Sequence, residues 1–552
     1  MKIFSVAQMA AAEKAADAAG HSYHHMMEIA GHGVAAAIME KYDVVNKRFI
    51  ILVGPGNNGG DGLVAGRYLV EAGAKVIFYL FKKRDPEHDI NFKKIQEMGI
   101  ETLIADFDQR SRVLRLRLNG CDFVIDALLG TGVSRPITGE LNSLLRQVKA
   151  GLDERAQLMG HEAAQAAGRA NWPALTHVNP ELNTQIEQRP QVVAVDCPSG
   201  LNCDTGELDP VALTADLTVT FAGPKFGHFR FPGAAACGEI VITDIGIDPK
   251  LPAVNDIMVT LATKQLIHTY LPARPLDGHK GTFGRDLIAA GSYEYRGAPV
   301  LSGRAAFRAG AGLVALATPE IVRQTCVDQL PEATYPPIDT AELLDDTAAQ
   351  YLLDQLDMYK SVLIGPGLGD AEAFLMKFLS TLPHEAPPTV IDADGLNLLA
   401  QREDWPHLLR PNTVLTPHPG EMARLCNIPL SQLKEMNRVT LAQEKAAAWG
   451  CVLVLKGAYT VVAAPPNRAN ADSRCVLIPF ANPALGTAGS GDVLAGMIVA
   501  FLGQGLQPFE AAVVGAYTHA VAGELARQKL GEAGVMASDI CEAIPHALTL
   551  LK

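Results

Sequence analysis

The chain has 552 residues, of which 48% are hydrophobic and 19% charged, and its formal net charge is −13 at pH 7. That length favours two large α/β domains or three smaller ones over a single core, and the composition excludes a disordered or fibrous chain. The negative charge argues against a nucleic-acid partner, and the lack of a long apolar stretch argues against a leader or a membrane span, so we expect a cytoplasmic enzyme.

The first predicted elements are two helices. Ser5 and Gln8 have the spacing of a capping box at the start of an Ala-rich stretch, and a second helix is expected from about Ser22 to Lys41. Its three histidines have no acidic or cysteine partner at metal-ligand spacing, so we expect packing or surface roles for them. The nine cysteines include no C-x-x-C pair, which indicates reduced thiols rather than disulfides or a zinc site.

A glycine-rich loop at 54–62 follows the first predicted strand at 48–53 and precedes a helix predicted over 63–72. Three of its glycines match the G-x-G-x-x-G pattern of a dinucleotide-binding domain. Three basic residues at 82–84 follow the next predicted strand, where an NADP-dependent enzyme could hold a 2′-phosphate. Against this alternative, such a loop has no need of two asparagines and an aspartate, which offer oxygen ligands to an ion or a polar substrate.

Two further predicted strands, at 122–126 and 192–196, end in Asp126 and Asp196, and the second leads directly into a loop with Ser199. The carboxyl ends of parallel strands form the ligand crevice of an open sheet, so the loops of all three strands can converge there. In the simpler interpretation, each aspartate only forms the turn at its strand end.

These motifs resemble the YjeF N-terminal domain, the NAD(P)H-hydrate epimerase family. The resemblance rests on residues 57–61, 130–132 and 195–202 and covers residues 1–248. It implies a doubly wound, Rossmann-like α/β sandwich, with Asp196 as the candidate acid/base of epimerisation. It also implies a potassium ion on Asn58, Asp126 and Ser199, and contacts to the hydrate from Asn57, Asn58, Gly59, Gly60, Asp61, Gly130, Thr131, Gly132, Val133, Ser134, Arg135, Pro136 and Asp196.

Two features of this half fall outside that expected site. The stretch between Pro136 and Asp196 is longer than the family's connecting helix, and the excess falls near 151–189. We predict a helix from Asp153 and loops at 171–173 and 177–180; a lid, a subunit contact and a surface insertion without function all stay open. Lys225, after the strand predicted at 216–220, either faces the pocket or lies on an exposed loop, and is left outside the predicted site.

Prolines and polar residues at 247–255 indicate a domain boundary, beyond which strand, loop and helix units recur. The most informative is Asn482–Gly496, in which Gly486, Gly489 and Gly491 precede a helix predicted from Asp492 to Phe501. Glycines there can turn backbone N–H groups toward one point, and the helix N-terminus adds partial positive charge, so the loop predicts an anion hole. Beside it, Asp492 can act as a general base; the alternative is a helix cap.

With its neighbours, this run resembles the G-x-G-D signature of the ribokinase-like superfamily and, within it, the ADP/ATP-dependent NAD(P)H-hydrate dehydratases, over residues 255–552. The resemblance implies a ribokinase-like α/β domain and a magnesium-linked role for Glu421. It implies that the hydrate meets Ala298, Gly367, His418 and Asp492. It also implies that the adenine nucleotide meets Lys456, Gly457, Ala458, Tyr459, Thr460 and Gly491.

Together the two resemblances imply a bifunctional repair enzyme. It would interconvert the R and S forms of NADHX and NADPHX in an epimerase that uses K⁺, and dehydrate the S form with Mg²⁺ and ADP or ATP. Resemblance to fused chains of this family favours ADP as the phosphoryl donor. We also expect the chain to form a homo-oligomer, namely a tetramer. Two alternatives of other classes stay open: an NADP-dependent dehydrogenase fused to a sugar or vitamin kinase, and a non-catalytic nucleotide-sensing scaffold.

Overall fold

The computed structural model describes residues 1–166, 189–466 and 474–552. The chain divides into two compact units, one spanning Lys2–Ile257 and the other Met258–Lys552 together with Met1. Each unit is an α/β fold on a largely parallel sheet, which confirms the predicted fold class. The loops predicted at 171–173 and 177–180 lie outside the described residues.

The first unit contains one parallel sheet. Its strands in the described residues are β1 (Arg48–Val53), β2 (Lys75–Leu80), β3 (Thr102–Ile104), β4 (Phe123–Ala127), β5 (Gln191–Val195), β6 (Leu217–Phe221) and β7 (Glu239–Thr243). They lie in the order β3-β2-β1-β4-β5-β6-β7. The helices described are α1 (Val6–Ala18), α2 (Tyr23–Lys41), α3 (Asn57–Glu71), α4 (Ile90–Glu97), α5 (Arg112–Leu118), α6 (Gly139–Ala166), α7 (Gly233–Ala236) and α8 (Pro252–Asn255).

Side-chain alternation along β1 explains the two helical layers of this unit. Phe49, Ile51 and Val53 face a core that also contains buried residues of α2 and α3, whereas Ile50 and Leu52 face a second core with residues of α5 and α6. Because both faces of the strand are buried from Phe49 onward, its sequence from there is continuously apolar, as expected of a covered parallel sheet. The fold is therefore the predicted doubly wound sandwich.

The second unit contains a mixed sheet. Its described strands are β8 (Val259–Leu261), β9 (Arg285–Ala289), β10 (Leu313–Ala317), β11 (Ser361–Ile364), β12 (Thr389–Ile391), β13 (Thr413–Leu415), β14 (Val452–Leu455), β15 (Val461–Ala463) and β16 (Cys475–Leu477). The order is β10-β9-β11-β12-β13-β14-β15-β16-β8. The pairs from β10 to β14 are parallel, whereas β15 is antiparallel to both its neighbours.

The helices described in this unit are α9 (Lys264–Tyr270), α10 (Ala298–Ala309), α11 (Glu320–Gln329), α12 (Asp346–Leu353), α13 (Glu372–Thr381), α14 (Asp394–Leu399), α15 (Pro419–Leu425), α16 (Leu430–Glu435), α17 (Arg438–Trp449), α18 (Ser490–Gly503), α19 (Pro508–Leu530) and α20 (Ala537–Leu551). Helix α18 is central, because every residue from Val493 to Gly503 is buried. It packs against β9, β11 and β12 of the sheet and against α10, α19 and α20.

The element boundaries confirm most of the sequence analysis and correct it in places. The capping box is present, with Gln8 N–H donating to Ser5 Oγ at 3.1 Å. Helix α3 begins at Asn57 rather than Leu63, so the predicted glycine-rich loop is mostly the first turns of a helix. The glycines there serve close packing rather than loop flexibility, since a Cβ at Gly62 would lie 2.5 Å from that of Ala127. None of the described helices is long and apolar enough to cross a membrane.

Candidate active sites

The first candidate site lies at the carboxyl ends of β1, β4 and β5. These strands are neighbours, and the sheet order reverses between β1 and β4, because β2 and β3 extend the sheet to one side and β5 to β7 to the other. Loops that leave two central strands in opposite directions open a crevice between them, which is where open α/β sheets bind ligands. The structure thus brings the three predicted loops to one edge.

A cavity of about 390 Å³ opens beside the start of α3. Of the predicted residues, Asn57, Gly60 and Asp61 line it. It is also lined by residues that the sequence analysis did not select, including Glu13, Tyr23, Arg84, His88, Asn91 and Phe221. No local motif marks these residues, because they come from other helices and loops that only the tertiary structure brings to α3.

Arg84 braces the turn before α3. Its guanidinium donates to the carbonyls of Gly54 at 2.9 Å and Gly56 at 2.6 Å, and it also pairs with Asp89. Lys82 is likewise engaged, since its Nζ lies 2.7 Å from Glu140. These engagements weaken the dinucleotide-binding alternative, which needs basic side chains free to hold a 2′-phosphate.

Asp196 has the geometry of a functional residue. It follows β5 with a φ of 63°, a left-handed conformation that is strained for a residue with a Cβ. Its Oδ1 accepts hydrogen bonds from Thr220 Oγ1 at 2.8 Å and from Lys225 Nζ at 2.6 Å. Burial alone would raise the pKa of Asp196, but the charge and hydrogen bond of Lys225 outweigh it, so the pKa is lowered and the carboxylate is ionised.

Lys225 corrects the sequence analysis, which left it outside the site and gave equal weight to an exposed loop. The side chain is completely buried, with 0% of the residue exposed. A lysine that loses its hydration needs an anion and acceptors, and the strand-end loop places Nζ on Asp196 for that reason. The spacing of 29 positions between them carries no local sequence signal.

Asn58, Asp126 and Ser199 form a compact oxygen-rich cluster. Asp126 Oδ1 lies 2.6 Å from Ser199 Oγ, and Asp126 Oδ2 accepts from Ser199 N–H at 2.8 Å. Asn58 Nδ2 donates to the Leu129 carbonyl at 3.0 Å, which lies 3.3 Å from Ser199 Oγ. Burial raises the pKa of Asp126 despite the hydrogen bonds from Ser199. In the described residues no lysine or arginine pairs with this carboxyl, so a bound cation would supply the missing positive charge.

The loop at 130–136 leaves β4 beside this cluster. A Cβ at Gly130 would lie 3.3 Å from Asn58 Oδ1, so the glycine permits close approach. Farther along, Gly132, Ser134, Arg135 and Pro136 are exposed, and Thr131 and Val133 are half-buried. The structure therefore places the start of the predicted run at the cluster and the rest at its rim.

The second candidate site surrounds the N-terminus of α18. Gly489 caps the helix with a φ of 86°, whereas Gly491 lies in its first turn. The need for glycine at 491 is therefore close approach rather than unusual φ, since a Cβ there would lie 3.3 Å from Lys456 Nζ. Burial, with the nearby Asp392 as the next cause, raises the pKa of Asp492 to about 7. That value suits a general base at neutral pH.

Lys456 is the central cation of this site. Its Nζ lies 2.6 Å from Asp392 Oδ1 and 3.8 Å from Glu421 Oε2. Burial raises the pKa of Glu421 to about 7, whereas the two acids hold the pKa of Lys456 above its ordinary value against its own burial. Asp392 was not among the predicted site residues. The residue after it, Ala393, has a φ of 51°, the kind of backbone strain that collects at functional sites.

The other predicted hydrate contacts lie at neighbouring strand ends. Gly367 has a φ of 59°, and a Cβ on it would lie 3.0 Å from that of Ala298, so these two residues are in direct contact. His418 caps α15. Its side-chain Nδ1 accepts a hydrogen bond from the backbone N–H of Gly420 at 2.9 Å, and its backbone N–H donates to Glu421 Oε2 at 2.8 Å. Burial, and then the charge of Lys456, lower the pKa of His418, so the ring is neutral at pH 7.

The predicted nucleotide residues Lys456, Gly457, Ala458, Tyr459 and Thr460 form the turn between β14 and β15. Arg438 organises this turn, because it donates to the carbonyls of Leu455 and Lys456, each at 3.0 Å, and to that of Ala458. Sequence reasoning missed Arg438, which begins α17. Thr460 Oγ1 closes the turn on the Gly457 carbonyl at 2.9 Å.

This geometry can hold an anion opposite a base. The first N–H groups of α18 are unpaired within the helix and adjoin Lys456, which suits a phosphoryl group, and Asp492 stands beside them to take a proton. No group of three His, Cys, Asp or Glu side chains in the described ranges could hold a metal ion by itself.

Comparison with protein families matches both units. Residues 23–227 match the model of the YjeF-related protein N-terminus, and residues 287–546 match that of the NAD(P)H-hydrate dehydratase. A bifunctional NAD(P)H-hydrate repair enzyme Nnr of Moorella thermoacetica is 36% identical over 96% of this chain and 92% of its own length. The Escherichia coli enzyme of the same name is 32% identical over 96% and 90%.

Among solved structures, the chain is similar to the ADP/ATP-dependent NAD(P)H-hydrate dehydratase of Bacillus subtilis, which was co-crystallised with ATP and Mg²⁺. The two share 33% identity, with a TM-score of 0.47. The match covers 53% of this chain and 99% of that one.

Proposed function

This chain belongs to the family of bifunctional NAD(P)H-hydrate repair enzymes, and we propose that its two α/β units divide the repair between them. The enzyme epimerises the hydrates NADHX and NADPHX and dehydrates them to NADH and NADPH. We assign epimerisation to the unit Lys2–Ile257, with Asp196 as its acid/base. Dehydration of the S form belongs to Met258–Lys552, with Asp492 as its base.

The observation that carries the dehydratase assignment is the placement of Asp492 at the N-terminus of α18, beside Lys456. Hydroxide is a poor leaving group, so phosphorylating the hydrate's hydroxyl with ADP or ATP makes its departure feasible. Asp492 takes the hydroxyl proton, while the N–H groups at Gly489–Gly491 and the Lys456 ammonium stabilise the transferred phosphoryl group. Electron release from the ring nitrogen then expels phosphate and leaves a carbon–nitrogen double bond with a positive charge, and loss of a proton from the adjacent ring carbon to solvent gives the neutral dihydropyridine ring of NADH or NADPH.

We assign the hydrate to the strand-end surface formed by Ala298, Gly367 and His418, and the nucleotide to the turn from Lys456 to Thr460. The positions of these residues support the assignment, because they follow β9, β11 and β13, parallel strands that end at the same edge of the sheet. Mg²⁺ would come with the nucleotide and neutralise charge on its phosphates, and Glu421 is the candidate carboxylate on the protein.

In the first unit we assign K⁺ to the cluster of Asn58, Asp126 and Ser199. Side-chain and backbone oxygens converge there, and the buried Asp126 carboxyl would gain a counter-charge. When bound, the ion would supply positive charge that orders the loops around the hydrate. We assign the hydrate itself to the cavity lined by Asn57, Gly60 and Asp61. Residues 130–136, which leave β4 beside the ion cluster, are assigned to it by the family resemblance.

A pair of matched variants tests the division of labour. In a mixture of R and S hydrates with ADP or ATP, the wild type should restore near-ultraviolet absorbance to completion. Asp196→Asn should convert only the S portion and then slow to the spontaneous rate of epimerisation, whereas Asp492→Asn should epimerise without restoring absorbance. Loss of the acid/base group should cost about 10²- to 10⁴-fold.

The exposed Asp43 provides a control, since Asp43→Asn should behave as the wild type. If Asp196→Asn stops dehydration of pure S hydrate while the protein stays folded, the two activities share one site and the division is wrong.

A further inference from the structure

Two carboxyl groups, of Glu13 and Asp61, line the first-unit cavity, and Asp196 lies near enough for its charge to act on both. In the described residues neither the Glu13 nor the Asp61 carboxyl has a hydrogen-bond or ion-pair partner. Asp196, by contrast, is held by Thr220 and Lys225. Groups of one chemical type in such different environments are expected to carry different charges.

The hydrogen bonds of Lys225 use all the protons of its ammonium group. Its ammonium has three protons, and three acceptors lie within reach: Asp196 Oδ1 at 2.6 Å, Thr220 Oγ1 at 2.8 Å and the Phe221 carbonyl at 3.3 Å. No proton is left for a substrate, so Lys225 is a positioning residue. Because it and Thr220 both bind Oδ1, Oδ2 is the oxygen of Asp196 left for the reaction.

Other charged and titratable groups lie at or near the cavity, including His24 and His88 in its lining. Arg84 is committed to Asp89 and to two backbone carbonyls. His228 is neutral, because burial and then the charge of Lys225 lower its pKa to about 4. Burial raises the pKa of Glu13, and Asp196 raises it further. Burial also raises the pKa of Asp61 well above its ordinary value, and the neighbouring acids add to that effect.

We propose that Asp61 and Asp196 form the acid–base pair of epimerisation. In one direction Asp61 enters the turnover protonated and Asp196 ionised, the state that Lys225 favours, and in the reverse direction the two residues exchange roles. The proposal rests on the epimerase function assigned above to this unit and adds a second catalytic residue and a positioning residue to it.

The pair accounts for inversion through loss and return of water. Asp61 gives its proton to the hydrate's hydroxyl, the carbon–oxygen bond breaks, and the lone pair of the adjacent ring nitrogen forms a carbon–nitrogen double bond as water leaves. A water molecule then adds to the opposite face of that carbon, Asp196 takes its proton, and the electrons of the double bond return to nitrogen. One water leaves and one enters. The proton passes from Asp196 back to Asp61 through solvent, which restores the starting state.

Kinetics of three variants test the roles. Asp61→Asn should lower kcat for epimerisation by about 10²- to 10⁴-fold with little change in KM, because the amide keeps the shape and loses the proton. Lys225→Met should move the acidic limb of the pH profile to higher pH, since Asp196 loses its counter-charge, and Lys225→Arg should move it back. Lys93→Met, at an exposed lysine, is the matched control.

Should Lys225→Met fail to fold, Thr220→Val removes the other donor to Asp196 Oδ1 and should shift the acidic limb in the same direction. An unshifted limb in whichever of these two variants folds overturns the role of Lys225, and an unchanged kcat in Asp61→Asn overturns its role as the acid.

Isotope exchange tests the chemistry separately. In H₂¹⁸O, each epimerisation by the wild type should place one solvent oxygen in the hydrate, faster than spontaneous exchange. Retention of the original oxygen would overturn the water-loss step. A wild type that does not epimerise at all would instead overturn the function assigned to this unit. Because dehydration belongs to the other unit, S-hydrate turnover by every variant should match the wild type, which checks that the chain is intact.

Discussion

The pH dependence of dehydration tests the base assigned to the second unit. Asp492 has a pKa of about 7 because it is buried and lies near Asp392. A general base works only when deprotonated, so the rate should rise with pH through that value. With a pKa of about 7, roughly one molecule in eleven has the base form at pH 6 and ten in eleven at pH 8, so kcat/KM should rise about tenfold over that interval.

Two substitutions should move the midpoint of this rise in opposite directions. Asp392→Asn removes a negative charge that raises the pKa of Asp492, so the midpoint should fall. Lys456→Met removes a positive charge that lowers it, so the midpoint should rise. Asp370→Asn changes an exposed acid of the same unit and should leave the midpoint where it is.

The assay follows near-ultraviolet absorbance from pure S hydrate at limiting concentration with saturating ADP or ATP, because kcat/KM reports the pKa of the enzyme before the hydrate binds. A rate that is flat or falls between pH 6 and pH 8 would refute the assignment of Asp492. Midpoint shifts of the same sign in Asp392→Asn and Lys456→Met would refute the electrostatic account.

Three further predictions concern close packing, the ion and stability. Gly491→Val should raise KM for ADP or ATP more than for the hydrate, since a Cβ there would lie 3.3 Å from Lys456 Nζ; unchanged dehydration kinetics would count against the anion hole. Epimerisation should be faster in K⁺ than in Na⁺ or Li⁺, and its rate should fall in Asp126→Ala. If neither the choice of ion nor the substitution changes the rate, the cluster holds no functional ion. Asp286→Asn should raise the thermal unfolding midpoint above that of the wild type at pH 7 but not near pH 4. If the variant and the wild type have equal midpoints at both pH values, the raised pKa of Asp286 does not affect stability.

Asp286 is fully buried, and burial raises its pKa well above the ordinary value. Ser361 Oγ lies 2.9 Å from both Asp286 Oδ1 and the Val499 carbonyl. The single hydroxyl proton of Ser361 can serve only one of these two acceptors at a time, and burial outweighs the Ser361 hydrogen bond, so the protonated form of the Asp286 carboxyl is favoured. An acid whose pKa is raised on folding stabilises the fold less as pH rises above its unfolded pKa, by up to about 1.4 kcal/mol for each pH unit, and asparagine removes that dependence.

Local sequence was sufficient for most elements of this fold. The strand over 48–53 and the capping box at Ser5 follow from side-chain periodicity and short-range hydrogen bonds, which depend only on residues a few positions apart. The carboxylates Asp126 and Asp196 were predictable for the same reason, since each directly follows an apolar run. The family was recognisable because its motifs are contiguous stretches of sequence.

The prediction from local sequence was less accurate at the start of α3. Glycines and asparagines from 57 to 62 have weak helix propensity and favoured a loop, but the structure begins the helix at Asn57. Packing explains the difference, because the side of the helix next to β4 leaves no space for a Cβ at Gly62. Tertiary packing there outweighs intrinsic propensity.

Only the tertiary structure decided which partners give each acid its chemistry. The sequence alone left Lys225 between a pocket and a surface role, and the fold buries it on Asp196, 29 positions away. Asp392 and Lys456 are 64 positions apart and meet at 2.6 Å because β12 and β14 both end at the same edge of the sheet. A residue's type and its place at a strand end are local properties, whereas its pKa depends on burial and on charges brought from distant parts of the chain, which no short stretch of sequence encodes.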